Sequence, residues 1–173
     1  MKAKGIILFD IDHVLINIEM LRPFLKNVNE EKWQDQDLPF KDSVYEGAIE
    51  IIKRLQEDFE LGIFSECGNL PYQNRKLSES GLRHFFNPNF IFITRSKERD
   101  ARLVRDRLAG KFKKVVFIDD RLDQLKALKQ VMPKLITIRV LSPKYINQKS
   151  DHKPDFQISK LSEIFNALEK IGV

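Results

Sequence analysis

Cys67 is the only cysteine among the 173 residues, so no internal disulfide can form and no thiolate cluster can hold a soft metal. Histidine is almost as scarce. The three present include no pair at ligand spacing, which removes the common zinc arrangements. Glycine and proline number seven each, and the chain has no repeat and no low-complexity tract. No apolar run is long enough to cross a bilayer. The first such run, Gly5-Ile6-Ile7-Leu8-Phe9, stops at Asp10, and a stretch that short makes a strand rather than the core of a secretory signal. These absences point to a cytoplasmic, non-membrane protein. At this length it forms a single domain, residues 1–173, with a core of its own.

Charge is present but unevenly placed. The net charge is +5, and residues 95–114 hold nine Lys/Arg against three Asp/Glu. The local net of +6 leaves about −1 for everything else, and the stretch 27–60 is acidic. A basic block of this kind is either a solvated helix face or a footprint for an anionic partner such as nucleic acid.

Apolar runs alternate with amphipathic stretches along the chain. Strands are expected at Gly5–Phe9, Phe59–Phe64, Phe90–Ile93, Val115–Ile118, Leu135–Val140 and Phe156–Ile158. Between and after them, helices are expected at Ser43–Glu57, Pro71–Ser80, Lys97–Ala109, Leu122–Val131 and Leu161–Ile171. In the first of these helices Val44, Ala48, Ile51, Ile52 and Leu55 share one face. Strands that are apolar throughout, alternating with helices, predict an α/β fold: a mostly parallel sheet with helices on both faces, a Rossmann-like three-layer sandwich. Ligands of such sheets bind at the carboxyl ends of the strands.

The residues at those ends are unusually acidic. The first strand ends in Asp10-Ile11-Asp12-His13, the second in Ser65-Glu66, and the one at 115–118 in Asp119-Asp120; Lys97 follows the strand at 90–93. Carboxylates gathered on one rim repel unless a cation lies between them. Hard oxygen donors suit Mg²⁺. Two carboxylates spaced i, i+2 can divide the work of nucleophile and acid–base partner. A hydroxyl and an ammonium can hold phosphoryl oxygens.

Taken in order, these segments resemble the four motifs of the haloacid dehalogenase-like (HAD) superfamily. Ile7-Leu8-Phe9-Asp10-Ile11-Asp12-His13-Val14-Leu15 resembles the first, Leu61-Gly62-Ile63-Phe64-Ser65 the second and Val115-Val116-Phe117-Ile118-Asp119-Asp120 the fourth, with Lys97 where the third motif's lysine is expected. The resemblance implies a Mg²⁺-dependent phosphatase. Asp10 would be the nucleophile that forms an aspartyl-phosphate, and Asp12 the general acid and base. Ser65 and Glu66 would bind substrate, and Lys97 would neutralise Asp10 and the phosphate. The metal would be held by the Asp10 carboxylate, the Asp12 main-chain carbonyl, and Asp119 or Asp120. Having an acid at position 12 favours phosphoryl transfer, because dehalogenases of the superfamily lack it. His13 departs from the pattern, standing where phosphatases of the family usually carry glycine, and Lys97 lacks the proline that often follows, so Arg95 or Arg99 could share its role.

The interval from Asp10 to Ser65 leaves about thirty residues, 13–42, beyond the core elements. That is short for a cap domain. It suffices for one or two helices with Met20-Leu21 and Phe24-Leu25 as an apolar face and Trp33 packing against the core. An open site suits a phosphorylated macromolecule, or a small molecule closed over by a partner subunit. Two alternatives stand beside the phosphatase: a nucleic-acid-end phosphatase using the 95–114 block, and a binding module that keeps the fold with little catalysis.

Overall fold

A computed structural model of the chain describes residues 5–172. Six strands form one parallel sheet: β1 (Gly5–Phe9), β2 (Phe59–Glu66), β3 (Ile91–Thr94), β4 (Val115–Asp119), β5 (Ile136–Val140) and β6 (Phe156–Ile158). Their spatial order is β3-β2-β1-β4-β5-β6, and all five pairings are parallel. The chain moves outward from β1 to one edge, then returns to its other side at β4. The reversal opens a crevice at the carboxyl ends of β1 and β4.

Side chains along β1 alternate between two apolar clusters. Ile7 and Phe9 join one, Ile6 and Leu8 the other, as the two-residue period of a strand requires. Helices α2 (Ala48–Leu55), α3 (Leu70–Glu79) and α6 (Ile164–Lys170) contribute to the first cluster. Helices α4 (Lys97–Leu108) and α5 (Leu122–Val131) cover the second. The result is the three-layer sandwich expected from the sequence. Among the described residues no helix is long and apolar enough to cross a membrane.

Two expectations need correction. The helix expected from Ser43 begins only at Ala48. Gly47 has φ +74°, a left-handed conformation that cannot continue a helix, and Val44 pairs with Ile16 in an isolated antiparallel bridge rather than lying on a helix face. The apolar face expected from Met20-Leu21 and Phe24-Leu25 is divided. Leu21 and Leu25, four apart on one side of the turn formed with α1 (Arg22–Leu25), are buried, whereas Met20 and Phe24 are exposed.

Farther along that segment a 3₁₀ turn, Glu30–Asp35, is held against α3. Trp33 stacks edge-on against Tyr72 with ring centroids 5.4 Å apart. Asn69 donates to the Glu30 carbonyl and the Gln34 side chain. Arg75 donates to the carbonyls of Gln34 and Gln36. With four polar bonds and an aromatic pair, this flap is fixed to the core.

Candidate functional site

Each site residue is set by the end of a regular element. Asp10 follows the last residue of β1, and its N–H donates to the Ile118 carbonyl, 2.9 Å away, at the end of β4. That bond locks the two acidic strand ends side by side. Lys97 is the first residue of α4, whose N-terminus is capped by Ser96. The Lys97 N–H, one of the groups a helix leaves unpaired, donates to Glu66 Oε2 at 2.8 Å. The helix start is thereby tied to the end of β2, and the lysine side chain enters the crevice.

There Lys97 Nζ lies 2.8 Å from Asp10 Oδ1 and 2.5 Å from Asp119 Oδ2. Lys97 is 1% exposed and Asp119 fully buried. Carboxylate oxygens of Asp10, Asp119 and Asp120 all lie within 4.8 Å of one another. Asp120 Oδ2 accepts from Ser142 Oγ at 2.6 Å, and Asp119 Oδ1 accepts from the Arg121 N–H at 2.9 Å.

One ammonium among three buried carboxylates leaves an excess of negative charge. Burial pushes Asp119 well above the usual carboxylate range, opposed by Lys97 and reinforced by Asp10 and Asp120. Burial and then Asp10 push Asp120 up to about 6, against the Ser142 hydrogen bond. Burial alone would lower Lys97, but Asp10 and Asp119 hold it charged, above its ordinary value. Acids and base move in the same direction for different reasons, burial first for the two acids and the carboxylates for the lysine, and the net effect is a cluster that retains protons. An all-oxygen donor set with this excess of negative charge can hold a hard divalent cation, Mg²⁺ being the ordinary example.

A stability consequence follows. A carboxyl raised in the fold binds more protons folded than unfolded, so stability falls as pH rises above the unfolded value, near 4, through the folded one. Asp120 puts that window for the metal-free protein at about pH 4 to 6, and Asp119, raised well above the usual carboxylate range, extends it upward. Saturating Mg²⁺ should then raise the Tm by roughly 5–10 °C at pH 8, and by much less at pH 5, where protons already neutralise the cluster. A calorimetric Tm that is indifferent to Mg²⁺ at both pH values would count against a metal site.

Asp12 is not part of this trio. Its carboxylate turns to Lys76 Nζ on α3 in an ion pair, and Lys76 is 1% exposed beneath it. Lys76 also lies 4.8 Å from the Tyr72 ring centroid. It is a residue that sequence reading missed. Only the fold shows that the buried face of α3 consists of Tyr72, Gln73, Lys76 and Leu77, where a lysine and a glutamine need a reason. Lys76 fixes where the Asp12 carboxylate points. Lys76→Met keeps the side chain's bulk, and Asp12, partly exposed, can turn to water. The Tm should stay level or rise, while turnover of any substrate that uses Asp12 falls by about 10–100-fold; thermal unfolding and kcat on the same variant check both.

Ser65 is fully buried, and its Oγ accepts from Gln73 Nε2 at 3.0 Å. With Gln73 as donor, the serine hydroxyl keeps its own proton to give. Glu66, expected to contact substrate, serves as a brace in the fold: besides the Lys97 N–H it takes Arg121 Nη1 at 3.4 Å and Gln124 Nε2 at 3.2 Å. His13 has φ +59°, the left-handed region where glycine is most at ease. Its ring is buried, edge-on to Tyr145, and burial lowers its pKa against the pull of Asp12 and Glu19. The Cys67 thiol is pushed up to about 11 by burial, an inert thiol rather than a reactive one.

The basic block behaves differently from the rim. Arg99 and Arg105 pair with Asp100 and Asp106, and α4, which connects the parallel strands β3 and β4, starts at the rim and runs back toward their amino ends. Only its first residues therefore lie near the carboxylates. Arg95, exposed at the rim, and Arg99 are not among the cations joined to Asp10, Asp119 or Asp12 in the described structure.

A family model for haloacid dehalogenase-like hydrolases matches residues 28–131, more than half of the chain. Solved structures extend the likeness across β1. A haloacid dehalogenase-like hydrolase from Burkholderia xenovorans superposes with TM-score 0.76 at 18% identity, covering 99% of both chains. The HAD-hydrolase YfnB from Bacillus subtilis, bound to magnesium, gives 0.69 at 18% identity, covering 96% of this chain and 99% of that one. L-2-haloacid dehalogenase from Xanthobacter autotrophicus gives 0.66 at 12%, covering 97% and 99%. At these identities the structures speak for the fold alone. No curated protein sequence matches significantly.

Proposed function

The chain belongs to the haloacid dehalogenase-like hydrolases, and from that premise we propose that it is a Mg²⁺-dependent phosphatase working through an aspartyl-phosphate on Asp10. The observation that carries the choice of phosphoryl transfer over dehalogenation is Asp12. A second carboxylate two residues past the nucleophile, held by its own buried lysine, fits a reaction in which a leaving oxygen needs a proton and a water must later lose one.

In this reading Asp12 enters the step protonated; an Asp10 oxygen attacks phosphorus while the bond to the leaving oxygen breaks, and Asp12 gives that oxygen its proton, becoming the carboxylate that Lys76 pairs with. Asp12, now a carboxylate, takes a proton from water. The water oxygen bonds to phosphorus, the bond to Asp10 breaks, and phosphate leaves. Ser65 donates to a phosphoryl oxygen. Lys97 balances charge beside Asp10 throughout. Asp10, Asp119 or Asp120, and the Asp12 carbonyl would hold Mg²⁺, which when bound supplies charge neutralisation and lowers repulsion between Asp10 and the phosphate.

The test uses two substrates of matched simplicity. Purified protein with Mg²⁺ should hydrolyse 4-nitrophenyl phosphate and should release no chloride from L-2-chloropropionate; the reverse pattern would overturn the reading. Asp12→Asn should slow the phosphatase by about 10²–10⁴-fold. With so good a leaving group, loss of water activation should also let phosphoryl-enzyme accumulate, visible as an 80 Da mass increment.

A further inference from the structure

Beside the carboxylates lies a cleft of about 1060 Å³. Its walls come from the loop after β1, the N-terminal turn of α2, and the segments that leave β5 and β6. Two of its lining residues adjoin the site. His13 follows Asp12, and Ser142, on the opposite wall, donates to Asp120.

Three features define what the cleft can take. It is too large for phosphate or a small alcohol, and at the upper end of the volumes that drug-sized ligands fill. Its floor is apolar, formed by Val14, Tyr45, Ile51, Val140 and Leu161. Its charges cancel: Arg22, Lys144 and Lys160 stand against Glu19, Glu46 and Glu50. A polyanion would meet as much repulsion as attraction there, which disfavours a nucleic acid or a nucleoside polyphosphate.

A fourth feature points to a ligand directly. His13 is 5% exposed, and among the described residues its Nε2 has no hydrogen-bond partner. The nearest carboxylate oxygen, Glu19 Oε1, is 3.9 Å away, beyond hydrogen-bond reach. A buried ring nitrogen without a partner costs free energy. The chain also holds this side chain on a left-handed residue. Both costs have a use if the ring turns far enough for a polar atom of a bound molecule to meet that nitrogen.

We propose that this cleft receives the leaving group of the phosphoryl substrate and selects a bulky, largely apolar group of no net charge, with His13 as the polar contact that orients it. The proposal rests on the phosphatase reading above and adds a substrate class to it.

The probes are 4-methylumbelliferyl phosphate, whose leaving group is bulky, uncharged and carries a carbonyl, acetyl phosphate, and a 5′-phosphorylated oligonucleotide. Wild type should prefer the umbelliferyl ester over the oligonucleotide by about a hundredfold or more in kcat/KM. Ser159→Trp fills the cleft from an exposed position. It should lower kcat/KM for the umbelliferyl ester by about tenfold or more and leave that for acetyl phosphate within about twofold. His13→Asn, which tolerates a left-handed backbone, should lose most of the umbelliferyl preference. Equal effects of Ser159→Trp on both small esters, or a preference for the oligonucleotide, would overturn the proposal and leave the phosphatase reading intact. If wild type turns over none of the three, the phosphatase reading fails by itself. Binding of free 4-methylumbelliferone, read by its emission, then decides only whether the cleft takes a group of this class: binding that Ser159→Trp abolishes says that it does, and no binding, or binding that survives Ser159→Trp, overturns that part as well.

Discussion

Asp10→Asn should lower phosphatase turnover by at least about a thousandfold while leaving the protein folded and no less stable. The two halves of the result have one cause. Asp10 is 7% exposed and sits with Asp119 and Asp120 around a single ammonium. Neutralising it removes one of three buried like charges, so the metal-free fold gains from reduced repulsion. Lys97 keeps Asp119 as its partner. An amide oxygen can still accept from Lys97, so the local geometry has little reason to change. What disappears is the nucleophile, since a neutral amide does not attack phosphorus at a useful rate. Cation affinity should fall as well, with a smaller Mg²⁺-induced rise in Tm than in wild type. Steady-state kinetics and thermal unfolding on the one variant check all of this. Turnover within tenfold of wild type would remove Asp10 from its assigned role.

The site was legible where chemistry sits at the ends of buried strands. β1 and β4 are apolar throughout because both faces of the sheet are covered, so the first acid after each stands out, and Asp10, Asp119 and Asp120 could be named before any coordinates. Lys97 was legible from spacing, since the loop after β3 has to return to the same rim. Legibility failed where function lies on the inner face of a helix. Lys76 and Gln73 belong to α3, and a single sequence does not say which polar residues of a short helix turn inward. It failed again where backbone conformation overrides periodicity. The apolar spacing from Val44 to Leu55 satisfies a helix, but the left-handed Gly47 breaks it, and the freed turn becomes a wall of the cleft. Glu66 was legible as a strand-end acid but not as a brace, because its partners come from α4 and α5 and meet it only in the fold.

Lys97→Met should be the most damaging single change, and its damage should depend on pH and on metal. The methionine fits the volume, so packing is nearly preserved. The charge balance is not. Asp10, Asp119 and Asp120 would face one another with no cation, and removing one partner from a buried ionic network costs about 3–5 kcal/mol. The direction with pH can be worked out. Asp119 already lies well above its ordinary value with Lys97 present; without it, the carboxyls rise further. Their folded forms then bind more protons than their unfolded forms over a wider range, so stability falls as pH rises from about 4. The variant should unfold close to the wild-type temperature at pH 4.5 and well below it at pH 8. Mg²⁺ at pH 8 should recover much of the difference, because a divalent cation replaces the missing charge among the same oxygens. Activity should not recover with it, since Lys97 also balances the charge that gathers on Asp10 and the phosphoryl oxygens during transfer. A variant with a stability deficit equal at pH 4.5 and pH 8, and unmoved by Mg²⁺, would mean that Lys97 acts by packing alone and that the carboxylates do not share a cation.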